Sequence, residues 1–324
     1  MLCRLLALLP LLSGGAVPAA SSGGPGVFLA RTESPRQPPH TPAKFNGVCY
    51  ASWASAGADS YDSTASDASL ALAARSGINT VAIVQTWYMA DQNSTTIAAS
   101  DAKSNTDAGL ARAIGAARQR GLRVALKPHV DFLADDAHWR GQIGPAFGDA
   151  EWAAWFASYG AYMLRMAALA RAHAADLFVV GTELITTEPR EAQWRSLLTA
   201  LRAAAGPAVP FVYGANWSPG PAAVPFWDAS ELDYIGVDAY YPLATAAGAS
   251  RVQLAAAWSA SPRSGNIVAA LGALSAKHGK PVIFAEIGYT TTDACAVGNH
   301  AGGAISLTAQ ATAYQAFFDA GACT

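Results

Sequence analysis

Two glutamates in this chain stand directly behind apolar runs that have the length of buried strands. Glu183 follows the run at 177–182, and Glu286 follows the run at 282–285. Unbroken apolar runs of this kind are typical of strands that are buried on both faces of a parallel sheet. Because a carboxylate is costly at such a position unless it is paired or used, both side chains are candidates for acid–base or nucleophilic chemistry.

Aromatic and polar side chains also stand at the ends of the other predicted strands. Tryptophan and tyrosine rings offer apolar faces that suit sugar rings, and amide, imidazole, ammonium and carboxylate groups bind hydroxyls. This combination predicts a groove that binds carbohydrate. The predicted substrate-binding residues are Trp53, Trp87, Tyr88, Lys127, His129, Asp131, Asn216, Trp217, Asp238 and Tyr240.

Two carboxylates in such a groove are the groups that glycoside hydrolysis requires. One must be protonated to donate to the leaving oxygen, and the other must be ionised to attack the anomeric carbon. A separation of about 5–5.5 Å gives retention of configuration, and about 6.5–9.5 Å gives inversion. The residues alone leave structural roles open, since both glutamates could pair with Lys127, and His129 with Asp131 could be a buried pair. Glu188 falls in a loop and is expected to be solvated.

The elements that position these residues alternate between strand and helix from Phe45 onward. Buried strands alternating with helices predict a parallel α/β fold. A doubly wound sheet would need a glycine-rich turn after the first strand, where residues 51–54 read Ala-Ser-Trp-Ala instead. The pattern therefore predicts a (β/α)8 TIM barrel, in which the carboxyl ends of the strands form the site.

Seven strands and seven helices are predicted. The strands lie at 47–51, 79–85, 122–127, 177–181, 209–213, 234–237 and 282–285. The helices lie at 65–76, 106–120, 149–174, 189–205, 222–229, 265–278 and 307–320. The eighth strand of the barrel is missing, because the chain stops at Thr324 just after the seventh helix. We interpret this as C-terminal truncation; the alternative is that the N-terminal segment fills the gap.

The chain divides into three predicted parts. Residues 1–20 resemble a secretory signal peptide, with Arg4 before a short apolar stretch and small residues behind it. Residues 21–43 are rich in Ser, Gly and Pro and predict a flexible leader, and residues 44–324 form the barrel domain. We therefore expect a secreted or extracellular protein. In that setting Cys295 and Cys323 could form a disulfide, and two unpaired thiols are the equal alternative.

Composition excludes several other classes of function. The chain is 52% hydrophobic and 14% charged with a net charge of −2 and no basic run, so nothing indicates nucleic acid or a membrane surface as partner. No later segment is long and apolar enough to span a bilayer. Metal-ligand spacing, a phosphate-binding P-loop and a Gly-x-Ser-x-Gly motif are all missing from the sequence. We expect no metal, no cofactor and a monomer.

The order of the strand-end motifs resembles glycoside hydrolase clan A. Within that clan, the segments at 86–88 (Thr-Trp-Tyr), 127–131 (Lys-Pro-His-Val-Asp), 181–183 (Gly-Thr-Glu) and 286–289 (Glu-Ile-Gly-Tyr) are most similar to glycoside hydrolase family 113, known for β-1,4-mannanases. The resemblance covers roughly Phe45 to Ala320. It implies a retaining mechanism in which Glu183 is the acid/base and Glu286 is the nucleophile, with Tyr240 bonded to Glu286.

Two departures from the clan accompany this resemblance. Most members carry an asparagine directly before the acid/base, where Thr182 stands here. The missing eighth strand commonly supplies a tryptophan platform under the sugar. The resemblance thus implies hydrolysis of a β-1,4-linked polysaccharide, and mannan is the first candidate substrate. The alternatives are a catalytically impaired carbohydrate-binding barrel, or an endo-β-glucanase or xylanase of the same clan.

Overall fold

A single parallel sheet forms the centre of the structure. The computed structural model describes residues 6–8, 44–298 and 300–321. The strands pair in chain order, each parallel to the next. They are β1 (Leu6–Leu8), β2 (Gly47–Ala51), β3 (Thr80–Met89), β4 (Arg123–Phe132), β5 (Leu177–Thr182), β6 (Phe211–Asn216), β7 (Tyr234–Asp238) and β8 (Val282–Glu286).

Helices connect most of the consecutive strands and cover the outside of the sheet. They are α1 (Thr64–Arg75), α2 (Asp107–Gln119), α3 (Asp149–Ala172), α4 (Glu191–Ala205), α5 (Arg251–Ala257), α6 (Ile267–His278) and α7 (Leu307–Asp319). Several begin at a side-chain cap, as at Thr106, whose hydroxyl accepts from the Gly109 amide. Short 3₁₀ turns at Arg140–Gln142, Ile185–Thr187 and Pro221–Ala223 follow three of the strands.

The predicted fold class is confirmed. The seven strands β2–β8 curl into a half-barrel with helices between them, as expected for a (β/α)8 barrel with seven strands after residue 44. β1 pairs with β2, with Leu6 opposite Gly47, and also lies next to β8. Residues 1–5 and 9–43 lie outside the described residues, as does Cys323. The signal peptide, the leader and the disulfide therefore stay predictions.

Some predicted elements differ from those observed. β3 and β4 run four and five residues beyond their predicted ends, to Met89 and Phe132, so the candidate residues at 87–88 and 129–131 lie in strands. The helix predicted at 222–229 is wrong. Only one 3₁₀ turn forms there, because Val224 precedes Pro225 and takes an extended conformation. The short helix α5 was not predicted.

The inside of the barrel is filled in two layers. At the amino-terminal ends of the strands, small and branched side chains such as Ala82, Ala125, Val179 and Val212 form an apolar plug. Above it, the inward positions become polar, beginning with Lys127, which is fully buried. The plug closes one end of the barrel, so the polar layer faces the end where the strand termini and their loops meet. In the part of the chain that the structure describes, no helix has the length and apolar character needed to cross a membrane.

Candidate active site

Glu286 is the last residue of β8, and both of its carboxylate oxygens accept hydrogen bonds. The Lys127 ammonium lies 2.5 Å from Oε1, and the Tyr240 hydroxyl donates to Oε2 at 2.6 Å. The Tyr240 ring fits here because residue 288 is glycine; a Cβ at Gly288 would lie 2.9 Å from it. Lys127 and Tyr240 come from β4 and from the loop after β7, so two separate segments hold the carboxylate that β8 carries.

The ion pair lies in a buried group of charges. Lys127 also donates to the Ala285 carbonyl at 3.3 Å and lies 3.8 Å from Asp238. Asp238 is completely buried, and its two carboxylate oxygens have no hydrogen-bond partner among the described residues. Burial raises the pKa of Asp238 well above its usual range against the opposing charge of Lys127, so Glu286 is the more acidic of the two carboxyl groups beside the lysine.

Glu286 is kept ionised despite its burial. Burial alone would raise its pKa, but the charge and hydrogen bond of Lys127 and the hydrogen bond from Tyr240 outweigh that effect and lower the pKa below the usual glutamate value. Lys127 retains its own proton, because Asp238 and Glu286 raise its pKa against the opposing effect of burial. An ionised carboxylate aimed into a cleft is the state that a nucleophile needs.

Glu183 follows β5 in an uncommon backbone conformation. Its φ is +55°, in the left-handed region that residues other than glycine seldom adopt. Its amide donates to the Gly214 carbonyl at 2.8 Å, and Asn216 donates from its side chain to Oε1 at 2.7 Å. Both contacts come from β6, the strand beside β5. Strained backbone of this kind is concentrated at functional sites.

Arg140 completes the surroundings of Glu183 and was not predicted. It lies in the 3₁₀ turn after β4, where its Nε donates to the Val130 carbonyl at 3.0 Å. One terminal nitrogen lies 3.2 Å from Glu183 and the other 3.4 Å from Asp131. A lone arginine in a loop has no periodicity and no motif around it, so the sequence held no signal for its role.

The position of Arg140 depends on an opening between two strands. The pairing of β4 with β5 covers only Ala125 and Leu126, opposite Leu177 and Phe178. Pro128 follows in β4 and has no amide hydrogen to give, so this ladder cannot continue regularly past it. The guanidinium lies beyond this point and joins the end of β4 to the end of β5.

Glu183 has the opposite electrostatic character to Glu286. Burial raises its pKa first, and the negative charge on Glu286 raises it further. Arg140, Lys127 and the Asn216 hydrogen bond act against this shift without cancelling it. A carboxyl group whose pKa is raised beside one whose pKa is lowered is the division of roles expected for a general acid and a nucleophile.

Further polar atoms line the inside of the barrel and have no hydrogen-bond partner among the described residues. The imidazole Nε2 of His129 lies 3.8 Å from Glu286 Oε1, beyond hydrogen-bonding distance. The hydroxyls of Thr86 and Thr182 are also buried and without a hydrogen bond in the described part of the chain. Burial and the nearby cations lower the pKa of His129, so its ring is neutral. Buried polar groups normally have partners, and hydroxyl groups of a ligand would supply them here.

The predicted aromatic residues are placed in different surroundings. Trp53 is 52% exposed at the end of β2. Trp87 stacks on Tyr162 of α3, with ring centroids 4.6 Å apart. Tyr88 is buried, with the Lys103 ammonium 5.7 Å from its ring centre.

Trp217 lies next to Asn216 but faces a separate cavity. It packs edge-on against Tyr241, and both rings line a cavity of about 280 Å³ beside α6. A larger groove of about 640 Å³ is lined only by residues of α3 and α4, on the outside of the barrel. The structure therefore brings Lys127, Asn216, Asp238, Tyr240, His129 and Asp131 around the two glutamates, whereas Trp87 and Trp217 contact the outer layer. The binding roles stay predictions.

The described residues of the site do not form a set of metal ligands. In the described ranges, no group of three or more His, Cys, Asp or Glu side chains converges on a point that could hold a metal ion. The charges that surround the glutamates are instead the cations Lys127 and Arg140. The chemistry that the described residues can support is proton transfer by Glu183 and nucleophilic attack by Glu286.

Comparisons with known proteins identify the family of this chain. The model of Glycoside Hydrolase Family 113 matches residues 49–323. A GH113 beta-mannanase, AaManA from Alicyclobacillus acidocaldarius in complex with ManMIm, is 29% identical with a TM-score of 0.67, over 80% of this chain and 77% of that one. Two structures of GH113 beta-1,4-mannanase are 25% and 26% identical with TM-scores of 0.69 and 0.70, each over 83% of this chain and 82% of the other. A search of curated proteins gave no match.

The fold and the family match define a glycoside hydrolase built on the clan A barrel. Since the family model spans most of the sequence, the chain belongs to Glycoside Hydrolase Family 113. The predicted family and the predicted glycosidase class are both confirmed.

Proposed function

We propose that this protein is a retaining glycosidase that hydrolyses β-1,4-linked mannan. Glu183 is the acid/base, and Glu286 is the nucleophile. The observation that carries this proposal is the opposite shift of the two pKa values, upward for Glu183 and downward for Glu286. Similar carboxylates in one site acquire different roles only through their surroundings, and here those surroundings are specific.

The first chemical step uses both glutamates together. Glu286 attacks the anomeric carbon and forms a bond to it, while the bond to the leaving oxygen breaks and that oxygen takes the proton of Glu183. Tyr240 and Lys127 hold the attacking carboxylate in place. In the ester that results, the negative charge of Glu286 is gone.

The loss of that charge prepares the second step. Because the charge on Glu286 contributes to the raised pKa of Glu183, its removal lowers that pKa while Arg140 remains beside the carboxylate. Glu183 is then a base, which takes a proton from water as the water oxygen displaces Glu286 from the sugar. The same group thus serves both steps at one pH.

The proposed substrate follows from the family and from the lining of the site. The matching solved structures are named as beta-mannanases. The unpartnered hydroxyls of Thr86 and Thr182 and the neutral ring of His129 can bind sugar hydroxyls near Glu286. A secreted monomer, as the N-terminal segment and the composition predict, would meet such a polysaccharide outside the cell.

The decisive experiment is hydrolysis of β-1,4-mannan, with β-1,4-glucan and xylan in parallel. We expect reducing ends to appear faster from mannan than from glucan or xylan. Glu286→Ala and Glu183→Ala should each lower the rate at least about a hundredfold. Glu191→Ala removes a glutamate from the surface of α4, where it pairs with Arg195, and should keep full activity. If neither site variant is slower than this control, the assignment of both residues is wrong.

The stereochemical outcome tests the mechanism independently. A retaining enzyme releases the β-anomer first, which nuclear magnetic resonance of the fresh product detects before mutarotation. Release of the α-anomer would contradict a nucleophilic role for Glu286 and would make it a general base instead. Preferred cleavage of glucan or xylan would change the substrate and leave the mechanism intact.

A further inference from the structure

The strained backbone at Glu183 is held from both sides by one aromatic residue. The Tyr213 ring of β6 lies against Gly181, where an added Cβ would be 2.7 Å from the ring. Its hydroxyl accepts a hydrogen bond from the amide of Leu184 at 3.2 Å. Tyr213 therefore contacts the residue two positions before Glu183 and the residue directly after it.

The hydroxyl of Tyr213 has a second, buried partner. It donates to Glu188 Oε1 at 2.8 Å, and Glu188 is only 5% exposed. The expectation that Glu188 is solvated was thus wrong, because the 3₁₀ turn Ile185–Thr187 returns the chain underneath the tyrosine. Burial raises the pKa of Glu188 to about 7, and either protonation state offers an oxygen that accepts from the hydroxyl.

The direction of this hydrogen bond leaves the Tyr213 oxygen free to accept from the Leu184 amide. With its hydrogen directed to Glu188, the Tyr213 oxygen presents a lone pair to the Leu184 amide. The rest of the ring is enclosed by Trp194, Phe226 and Trp227. A tyrosine hydroxyl in such apolar surroundings needs an acceptor, and Glu188 supplies it.

The same turn is fastened at two further points. The hydroxyl of Thr187 donates to the Leu184 carbonyl at 2.8 Å, and the Trp194 indole donates to the Thr187 carbonyl at 3.1 Å. Thr187 therefore holds only the residue after Glu183, and the Trp194 ring lies only against Gly181, where an added Cβ would be 2.9 Å from it. Tyr213 contacts both sides, through its ring at Gly181 and its hydroxyl at Leu184.

We propose that Tyr213 and Glu188 are positioning residues for the acid/base of this enzyme. They hold the backbone of Glu183 in its left-handed conformation, and so direct the carboxyl group toward the leaving oxygen. Neither touches the substrate. This inference rests on the proposed function, since it assumes that Glu183 transfers the proton.

Substrates that differ in leaving group separate this role from a general loss of structure. A manno-oligosaccharide needs protonation of its leaving oxygen, whereas a 2,4-dinitrophenyl β-mannoside has a leaving group that departs without a proton. We expect Tyr213→Phe to lower kcat/KM about tenfold to a hundredfold on the oligosaccharide, and less than about threefold on the dinitrophenyl substrate. Equal losses on both substrates would overturn the proposal.

Glu188 provides the second variant, which decides the question if Tyr213→Phe does not fold. Glu188→Leu removes the acceptor and should reproduce the selective loss on the oligosaccharide. Glu188→Gln keeps an oxygen that accepts from Tyr213 and should restore activity to within about threefold of the original. If Gln and Leu are equally impaired, or if neither shows the selective loss, the hydrogen bond has no positioning role.

Two controls keep the outcomes distinct. Tyr61→Phe removes another fully buried hydroxyl, which donates to the Tyr50 and Val84 carbonyls, and should show no dependence on the leaving group. Glu183→Ala must itself show the dependence. If it does not, the proposed function fails; if it does while Tyr213→Phe and Glu188→Leu do not, only the positioning role is overturned.

Discussion

The two glutamates of the site are fixed in different ways, one through its side chain and the other mainly through its backbone. Glu286 is held through its side chain, by an ammonium and a phenol that each contact one carboxylate oxygen. Glu183 is held mainly through its backbone, because its own amide and the amide of Leu184 are both bonded to β6. Its carboxyl group accepts a hydrogen bond from the Asn216 side chain and has a longer contact with Arg140. A carboxylate that must stay ionised can accept strong hydrogen bonds on its charged oxygens. A carboxyl group that gains and loses a proton cannot depend on such bonds, so its position is fixed through the backbone.

The largest effect should follow from breaking the charge support of Glu286. Lys127→Met leaves a buried carboxylate without its cation, so its pKa rises and the nucleophile becomes protonated near neutral pH. We expect a loss of about 3–5 kcal/mol in unfolding free energy, measured in urea at pH 7, and at least about a hundredfold in mannan hydrolysis. Asp238→Asn is the control and should stay within about 1 kcal/mol, because the raised pKa of Asp238 favours its neutral form, which asparagine resembles in shape. Equal stability of both variants would contradict this picture.

The next effect concerns the support beneath Glu183. The folded-state pKa of Glu188 is raised from 4.5 to about 7, so the folded protein binds this proton more tightly than the unfolded chain does. Its contribution to stability is therefore complete below pH about 4.5 and is lost as pH rises to about 7, by about 3 kcal/mol. Glu188→Gln should remove this part of the pH dependence in denaturant titrations from pH 4 to 8. Parallel curves for both proteins would mean that Glu188 does not titrate in this range.

A smaller effect should follow from loosening Glu286 without removing its cation. Tyr240→Phe keeps the ring against Gly288 but deletes the hydrogen bond that lowers the pKa of Glu286. That pKa should rise, so the acidic limb of the pH profile of kcat/KM moves to higher pH, and activity falls about tenfold. An acidic limb that does not move would separate Tyr240 from the ionisation of the nucleophile.

The smallest effect should come from the cation beside Glu183. Arg140→Gln removes a charge that lowers the pKa of the acid/base, so the basic limb of the same profile should move to higher pH. Because Asn216 still donates to the other oxygen of the Glu183 carboxyl at 2.7 Å, we expect only about a threefold loss at the optimum. A shift of the acidic limb instead would indicate that Arg140 acts on Glu286.

Sequence reasoning found the strands that carry the site but not the contacts within it. Glu183, Glu286 and Lys127 were predictable because apolar runs mark buried strands, and a charge at the end of such a run stands out. Arg140 and Glu188 were not, because both lie in turns whose direction depends on backbone angles that leave no periodic pattern. The φ of Glu183 is equally invisible, since glutamate has no preference for the left-handed region.

The bond between two turns has a consequence for how this enzyme can change. Thr186, just behind Glu183, donates from its hydroxyl to the carbonyl of Ile143, at the end of the turn that carries Arg140. The segment between β4 and α3 thus contacts the loop after β5 twice, once at Thr186 through this bond and once at Glu183 through the guanidinium. Lys127 and Tyr240 lie outside that segment. Variation there, by natural drift or by loop exchange, can tune the acidity of the proposed proton donor through a direct contact, while the two side chains that bond Glu286 are inherited unchanged.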